Sequence, residues 1–492
     1  MSPPVPSTVD TAPPVAPGHG VAISALAQFG AQALHLVLNV VSSLAVIRYL
    51  GPTVFGSYVV IVITAAFAGL VSDLGLNKLA AREIARTPHD EVHLLGSVLA
   101  CRLLLAVGSF GLTVGALALM GERGEVLLAG AIYALLAFAE AALAVVIVFH
   151  VRVQQQYEAL VRVVIEVLET ALVLWLIVRG TSLVPLMAAP VGAAFVGVVV
   201  AVVLARRRLV AWPRLHLDRA PHLLREALPV GLTLLLAAAY LRIPALALAS
   251  MRGEAEAGFY GAAYQPIEYL LLASAVVINV LLPQLARAHA VDDARFVDLY
   301  RRGTEALLAV TIPVSLGLVV AGPAIVAAVY GADYDASATP LRILGLALVP
   351  MVQSFWQSIV LLAGGEQRRT LPYNLLASGL TVVLCIVLIP DRGATGTALA
   401  LLGTGLVVVV AANAASARHL GLTHDRARLT LLVGCGAVAI AGALALSANV
   451  TGPWLAVAIV LPAYAAALWR LGLLPSFALL EEPAPVQSTS AP

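Results

Sequence analysis

The dominant pattern along this chain is neither an amphipathic stripe nor an alternation of polar and apolar positions. It is a succession of continuous apolar stretches separated by short polar connections. A helix of about 20 apolar residues spans the hydrocarbon core of a bilayer, so each stretch reads as a membrane-crossing helix. The sequence predicts about fourteen spans: 21–47, 54–76, 94–119, 126–150, 159–178, 183–204, 226–250, 261–283, 304–326, 341–363, 371–389, 395–417, 429–447 and 454–471. The longest connection, 205–225, leaves no room for a soluble domain between spans.

The pattern also repeats. RYLGPTVFGSY at Arg48–Tyr58 joins the first two spans, and RGEAEAGFY at Arg252–Tyr260 joins the seventh and eighth. An offset of 202 residues carries Gly51, Gly56 and Tyr58 onto Gly253, Gly258 and Tyr260, and Asn77 and Leu79 onto Asn279 and Leu281. Six spans separate the copies, an even number, so the halves keep the same orientation about an axis along the membrane normal. The fold expected is an all-α integral membrane protein of two parallel six-helix lobes plus two C-terminal helices. The expected organisation is a disordered tail over 1–20, an N-terminal lobe over 21–205 and a basic linker over 206–225. A C-terminal lobe over 226–418, two further helices within 419–475 and a second disordered tail over 476–492 follow. The glycines of the hairpins permit a tight turn, Pro52 stops the first span, and Tyr58 suits the membrane–water interface.

Composition agrees: 61% of residues are hydrophobic and 11% charged, against ~25% charged in soluble domains. The distribution of cations orients the chain. Connections after even-numbered spans, with the adjoining span ends, carry 20 Lys/Arg, and those after odd-numbered spans carry six. Positive residues stay on the cytoplasmic side, which places both termini there. The first twenty residues lack the charged start of a cleavable signal peptide. The three cysteines, Cys101, Cys385 and Cys435, are scattered through apolar stretches and suggest neither a disulfide framework nor a metal cluster.

RYLGPTVFGSY, followed by SDLGLNKLAAREIA at Ser72–Ala85, resembles the N-terminal pattern of Wzx-type polysaccharide-export flippases, of the multidrug/oligosaccharidyl-lipid/polysaccharide exporter superfamily. GEAEAGFYGAAY at Gly253–Tyr264, LLPQLAR at Leu281–Arg287 and YGADYDASATPLRILG at Tyr330–Gly345 extend the resemblance over residues 20–420. It implies two bundles facing a central cavity that opens alternately to each side of a bacterial cytoplasmic membrane. The cargo implied is an oligosaccharide linked to a polyprenyl (undecaprenyl) diphosphate. The match to peptidoglycan-precursor flippases, which carry several basic residues inside the N-terminal lobe, is weaker, because here Arg102 is the arginine set well inside a span of that lobe.

Carrying a sugar diphosphate through hydrocarbon demands a wet and preferably cationic cavity, and ionisable residues within spans are the candidates to provide it. Arg242, mid-span in AAAYLRIPALAL and two residues before a potentially helix-breaking Pro244, can offer a fork to phosphate oxygens or snorkel to the interface. Arg102 can contact cargo or a partner inside its lobe. Glu140, in the fourth span, is the candidate for ion coupling, or for pairing with Arg102. Gln28, His35 and Asn39 line one side of the first span, as a sugar-facing wall or as helix–helix hydrogen bonders. Glu268 follows Gln265 and Pro266 and can reach the cavity mouth near Arg242. Glu166 is expected to pair with Arg162 one turn away, and Glu169 to be equally structural. HDEVH at His89–His93 lacks a third ligand in sequence and reads as a solvated turn rather than a metal site.

The expected function is secondary transport of the lipid-linked oligosaccharide to the outer leaflet, with no cofactor and no nucleic-acid partner. No nucleotide-binding motif appears, so drive falls to H⁺ or Na⁺, the membrane potential, or consumption of the cargo. Membrane lipids and other polysaccharide-assembly proteins are the further partners expected. The alternatives are a drug/cation antiporter of the same superfamily and a membrane glycosyltransferase or ligase acting on the same carrier. The enzyme would depend on Asp333 and Asp335 in a very short loop, and the chain is expected not to be one.

Overall fold

A computed structural model of the chain describes residues 19–87, 90–151, 154–207, 213–366, 369–423, 425–449 and 452–473. The expected tails lie outside them apart from His19 and Gly20. Each of the fourteen apolar stretches is helical over most or all of its length, and no strand occurs among the described residues. The chain is a multi-pass membrane protein. Ten helical stretches are long and apolar enough to cross a bilayer, among them 30–73 and 370–420, each of which is broken into two arms.

The breaks have a local cause. The first helix, α1 (His19–Asp73), turns at Gly51, whose φ of 69° and ψ of 170° are open to glycine and strained for other residues. Pro52 follows and begins the second arm. After α1, Leu74 and Gly75 adopt positive φ and lead into α2 (Leu76–Arg86), a short amphipathic helix. Then come α3 (Glu91–Leu119), α4 (Gly124–Ala134), α5 (Leu136–Ala142) and α6 (Ile147–Val151). These last three are pieces of one predicted span, interrupted by a turn at Leu135 and a 3₁₀ stretch at Leu143–Val146. The first half closes with α7 (Gln155–Val178) and α8 (Leu183–Arg206).

The second half opens with α9 (Ala220–Arg252), which runs through Pro244 without the break expected there. At Gly253 (φ 90°, ψ 178°) the backbone repeats the conformation of Gly51 and starts α10 (Glu254–Val291), which also stays helical through Pro266. Next are α11 (Asp293–Val329), α12 (Ala338–Ala363) and α13 (Thr370–Leu420), the last broken at Gly393. Buried polar contacts lock these helices together. Trp356 Nε1 donates to Thr304 Oγ1 at 3.0 Å, and Gln357 Nε2 donates to Asn413 Oδ1 at 2.7 Å. Finally α14 (Arg426–Asn449) and α15 (Pro453–Arg470) pack on α11 through Leu316, Val320, Ala443 and Val460.

At the end bearing Gly51 and Gly253 the halves are joined directly. The first-half hairpin meets the second half through Tyr334, whose hydroxyl donates to the Ile47 carbonyl at 2.8 Å. Arg48 donates to the carbonyls of Ala328 and Val329, satisfying the C-terminal carbonyls of α11. Within each half the hairpin is also braced by a side chain that donates to a carbonyl. Tyr49 donates to the Thr181 carbonyl at 2.7 Å, and Arg252 to the Pro390 carbonyl at 3.1 Å. The repeat seen as an offset in sequence is therefore also a repeat of backbone conformation at Gly51 and Gly253.

Candidate functional site

Between the halves lies a cavity of about 670 Å³. It begins beneath the joined hairpins, at Phe55 and Tyr58, and reaches Leu362 and Thr370 near the turn between α12 and α13, at the opposite end of the helices. Tyr58, expected as an interfacial anchor, instead stacks on Phe55 at 5.7 Å and faces this cavity, while Tyr260 is fully buried. Tyr240 and Tyr264 add further ring faces, and Gln265, Ser274, Ser354, Ser358 and Asn374 add hydroxyl and amide groups. Stacked rings with convergent hydrogen-bonding groups suit a polyhydroxylated ligand, and the volume falls within the usual ~300–1,000 Å³ of ligand pockets.

Among the described lining residues two carry full charges, Arg242 and Glu268, and the structure brings them together at 3.6 Å. Each is partly exposed to the cavity. An arriving anion thus meets a guanidinium whose existing partner it must displace or share, so the charge of the site is balanced before cargo enters.

Asn39 sits at the seam of the halves rather than on the cavity wall. The Tyr269 hydroxyl donates to Asn39 Oδ1 at 2.9 Å, accepts from Gln265 Nε2 at 2.8 Å and lies 2.6 Å from the Ser43 hydroxyl. Beyond this knot the two helices expose Leu34 and Val37 of α1, and Val277 and Val280 of α10. Tyr269 gives no signal in the sequence, because a tyrosine inside an apolar run is uninformative until its partner helix is known. His35 turns into the first half, where its Nδ1 meets Glu166 Oε1 at 2.6 Å. This contact replaces the expected Arg162–Glu166 pair, and Arg162 instead meets Glu158 at 3.5 Å and Gln32 at 3.4 Å. The side chain of Gln28 lies outside the described residues.

A second cavity, of about 540 Å³, lies wholly within the first half. Arg102 lines this one and not the cavity between the halves. Its NH1 donates to Asn77 Oδ1 at 3.0 Å and its NH2 lies 3.7 Å from Asp73 Oδ1. Asp73 and Asn77 flank the break at Leu74–Gly75, so the buried guanidinium bridges its two sides. Glu140 lines the same cavity, just before the 3₁₀ stretch, a place where helices often hinge. Four carboxylates, Asp73, Glu140, Glu158 and Glu166, share its wall with two arginines, Arg102 and Arg162. That excess of acid can accommodate a cation or protons.

Asp333 and Asp335 are exposed on the 3₁₀ segment Ala332–Ser337, flanking the buried Tyr334. The segment serves the junction of the halves, and neither carboxylate lines either cavity described above. In HDEVH, His89 lies outside the described residues, and His93 is brought against His216 and Asp218.

The family described as polysaccharide biosynthesis protein matches residues 18–289, and that described as lipid II flippase MurJ matches residues 245–465. Among solved structures, the chain is similar to lipid II flippase MurJ in an inward closed conformation. The TM-score is 0.73 at 14% identity, over 92% of this chain and 100% of that one. It is also similar to a multidrug resistance MATE family transporter of the MOP superfamily in its inward-facing conformation, with TM-score 0.57 at 14% identity over 79% of this chain and 94% of that one. The outward-facing conformation gives TM-score 0.57 at 15% identity, over 82% and 98%. These likenesses establish a common fold. No curated protein matches the chain significantly.

Proposed function

The chain belongs to the polysaccharide biosynthesis protein family, and from that premise we propose that it is a flippase for a polyprenyl-diphosphate-linked oligosaccharide. The two halves act as lobes that rock about the central cavity, exposing it alternately to the cytoplasm and to the outside of a bacterial cytoplasmic membrane. The charge distribution supports an orientation with the Gly51 end outside and both termini inside. In this orientation the structure is closed outward, and the cavity reaches toward the cytoplasmic end, where cargo loads.

The observation that carries this reading is the lining of that cavity. It joins aromatic faces and hydroxyl and amide groups to Arg242, whose guanidinium is able to hold a phosphate oxygen in two-pronged fashion. Arg242 binds the diphosphate, Glu268 holds the guanidinium in readiness, and the rings and hydroxyls hold the sugar. The polyprenyl tail stays in lipid. The acid-rich cavity of the first half couples transport to H⁺ or Na⁺ through Glu140.

The decisive experiment deletes the gene and measures which lipid-linked sugar accumulates, and on which leaflet. Accumulation on the cytoplasmic leaflet with loss of surface polysaccharide is expected. Normal polysaccharide with no accumulated intermediate, in a strain lacking other flippases, would exclude the reading.

The acid-rich cavity also favours a second reading, a drug/cation antiporter, which needs a compact ion site within one lobe. Deletion would then change drug tolerance and leave the lipid-linked sugars untouched.

A further inference from the structure

We propose that His93, His216 and Asp218 form a binding site for a divalent transition-metal ion of the Zn²⁺ class, which pins the segment between α8 and α9 to the start of α3. The three side chains come from two places far apart in sequence: the first turn of α3 and the approach to α9. Their donor atoms lie within 4.8 Å of one another, and His93 Nε2 is already 3.5 Å from Asp218 Oδ2. Tetrahedral Zn²⁺ with ligands at ~2.0–2.1 Å holds its donors roughly 3.3 Å apart. The site closes to that spacing by side-chain rotation, in which the stacked rings of His93 and His216, 4.8 Å between centroids, swing open toward a shared ion.

Two features hold the ligands in place without belonging to them. Gly96, one turn beyond His93, lets the backbone of Arg214 press against α3: a Cβ at Gly96 would stand 2.0 Å from the Arg214 carbonyl oxygen. On the other side of the two linker ligands, Arg219 is tied to Asp90 at 2.5 Å. His216 and Asp218 therefore sit on a short segment anchored at both ends to the helix that carries His93. The Asp90 contact also balances the charge of Arg219, the cation immediately after Asp218.

The Nε2 of His93 faces Asp218 while its Nδ1 is buried and finds no hydrogen-bond partner among the described residues, so Nε2 is the nitrogen free to take the ion. Two imidazoles and one carboxylate make a borderline donor set that prefers Zn²⁺ to Mg²⁺ or Ca²⁺, and three protein ligands leave one position for water. The consequence is mechanical. Metal binding fixes the start of α9, the first helix of the second half, to the first half, on the face opposite Gly51.

The test uses the full chain in nanodiscs, purified without a histidine tag and stripped with chelator. Zn²⁺ titrated by calorimetry should bind one ion per chain at this site, and Co²⁺ in its place should give the visible absorption of a tetrahedral site. His93→Ala and His216→Ala should each weaken binding by about a hundredfold or more, and Asp90→Ala, which removes only the Arg219 anchor of the segment, should weaken it less than either. His222→Ala, outside the cluster, should leave it unchanged. Hydrogen exchange over 213–220 should slow on adding Zn²⁺ in the wild type and not in His216→Ala, which lies outside any helix and so leaves the fold intact. If wild-type chain takes up no more Zn²⁺ than a monodisperse His93→Ala/His216→Ala variant, the proposal is wrong.

Discussion

Gly56 and Glu254 touch backbone to backbone: a Cβ built on Gly56 would stand 1.8 Å from the Glu254 carbonyl oxygen. The relation is reciprocated 202 residues on, where a Cβ on Gly258 would stand 1.9 Å from the carbonyl oxygen of Pro52. Each hairpin uses its second glycine to admit the start of the other, and neither obstructing atom is the end of a flexible side chain. Substituting either glycine by alanine therefore forces the hairpins apart. Overpacking of this kind costs about 1–3 kcal/mol, a change of roughly 5- to 150-fold in the closed-to-open ratio. A cysteine at Ser274 in an otherwise cysteine-free chain should then react faster with an impermeant maleimide from the Gly51 side. Unchanged labelling in both Gly56→Ala and Gly258→Ala would show that the contact does not govern closure.

Arg242 and Glu268, at 3.6 Å, allow a charge-exchange test. If the pair only braces α9 against α10, Arg242→Glu/Glu268→Arg should restore whatever Arg242→Glu loses. If the guanidinium binds the cargo's phosphate at its own position, the exchange should fail. Arg242→Ala should then lower export by about tenfold to a hundredfold, the worth of ~1.5–3 kcal/mol for a hydrogen bond to a charged group. Arg242→Lys should recover only part of it, because an ammonium cannot present a planar fork. Glu268→Gln should tighten binding of a soluble sugar diphosphate by freeing the guanidinium. Full export by a normally expressed Arg242→Ala chain removes Arg242 from the site.

The all-helical fold and the duplication were legible because both rest on one-dimensional signals: apolar length, and a glycine spacing repeated at a fixed offset. The site was legible only in part. Arg242 and Glu268 stood out as charges in apolar runs, and the cavity holds both. The route of Arg102 was not, since its partners Asp73 and Asn77 flank a break whose shape depends on Leu74 and Gly75 taking positive φ. The Arg162–Glu166 expectation failed because helical spacing reports neighbours on one helix, and His35 approached from another. Tyr58 showed the same limit: its position near a hairpin was readable, but not the face it turned to.

The Arg102 contacts predict a stability effect separable from coupling. Removing one partner of a buried ion pair costs about 3–5 kcal/mol, less where the partner is partly wet. Asp73 is about a third exposed, so Asp73→Ala should fall at or below the low end of that range. Arg102→Met/Asp73→Leu should regain most of the loss, since an apolar pair leaves no orphaned charge. Thermal unfolding in detergent measures all three. Glu140→Gln should leave the melting temperature near that of the wild type, yet make export in proteoliposomes indifferent to an imposed H⁺ or Na⁺ gradient. An unaltered gradient response in Glu140→Gln would assign coupling elsewhere.

The loop between α3 and α4 supplies a dependence on pH. There Glu122 meets Glu254, the first residue of α10. Burial, reinforced by the neighbouring Glu254 carboxyl that hydrogen-bonds it, raises the Glu122 carboxyl above its usual range. Parting the hairpins would expose Glu122 and return it toward its ordinary value. A carboxyl raised in the closed arrangement takes up a proton there more readily than in the open one. Closure at this end is therefore favoured at low pH and loses that advantage as pH rises through the raised value. Maleimide labelling of the Ser274→Cys chain from the Gly51 side should slow on acidification. Glu122→Gln, which keeps the hydrogen bond without the charge, should label slowly at neutral pH as well and lose most of the pH dependence. A Glu122→Gln chain that keeps the wild-type pH profile would place the titrating group outside this pair.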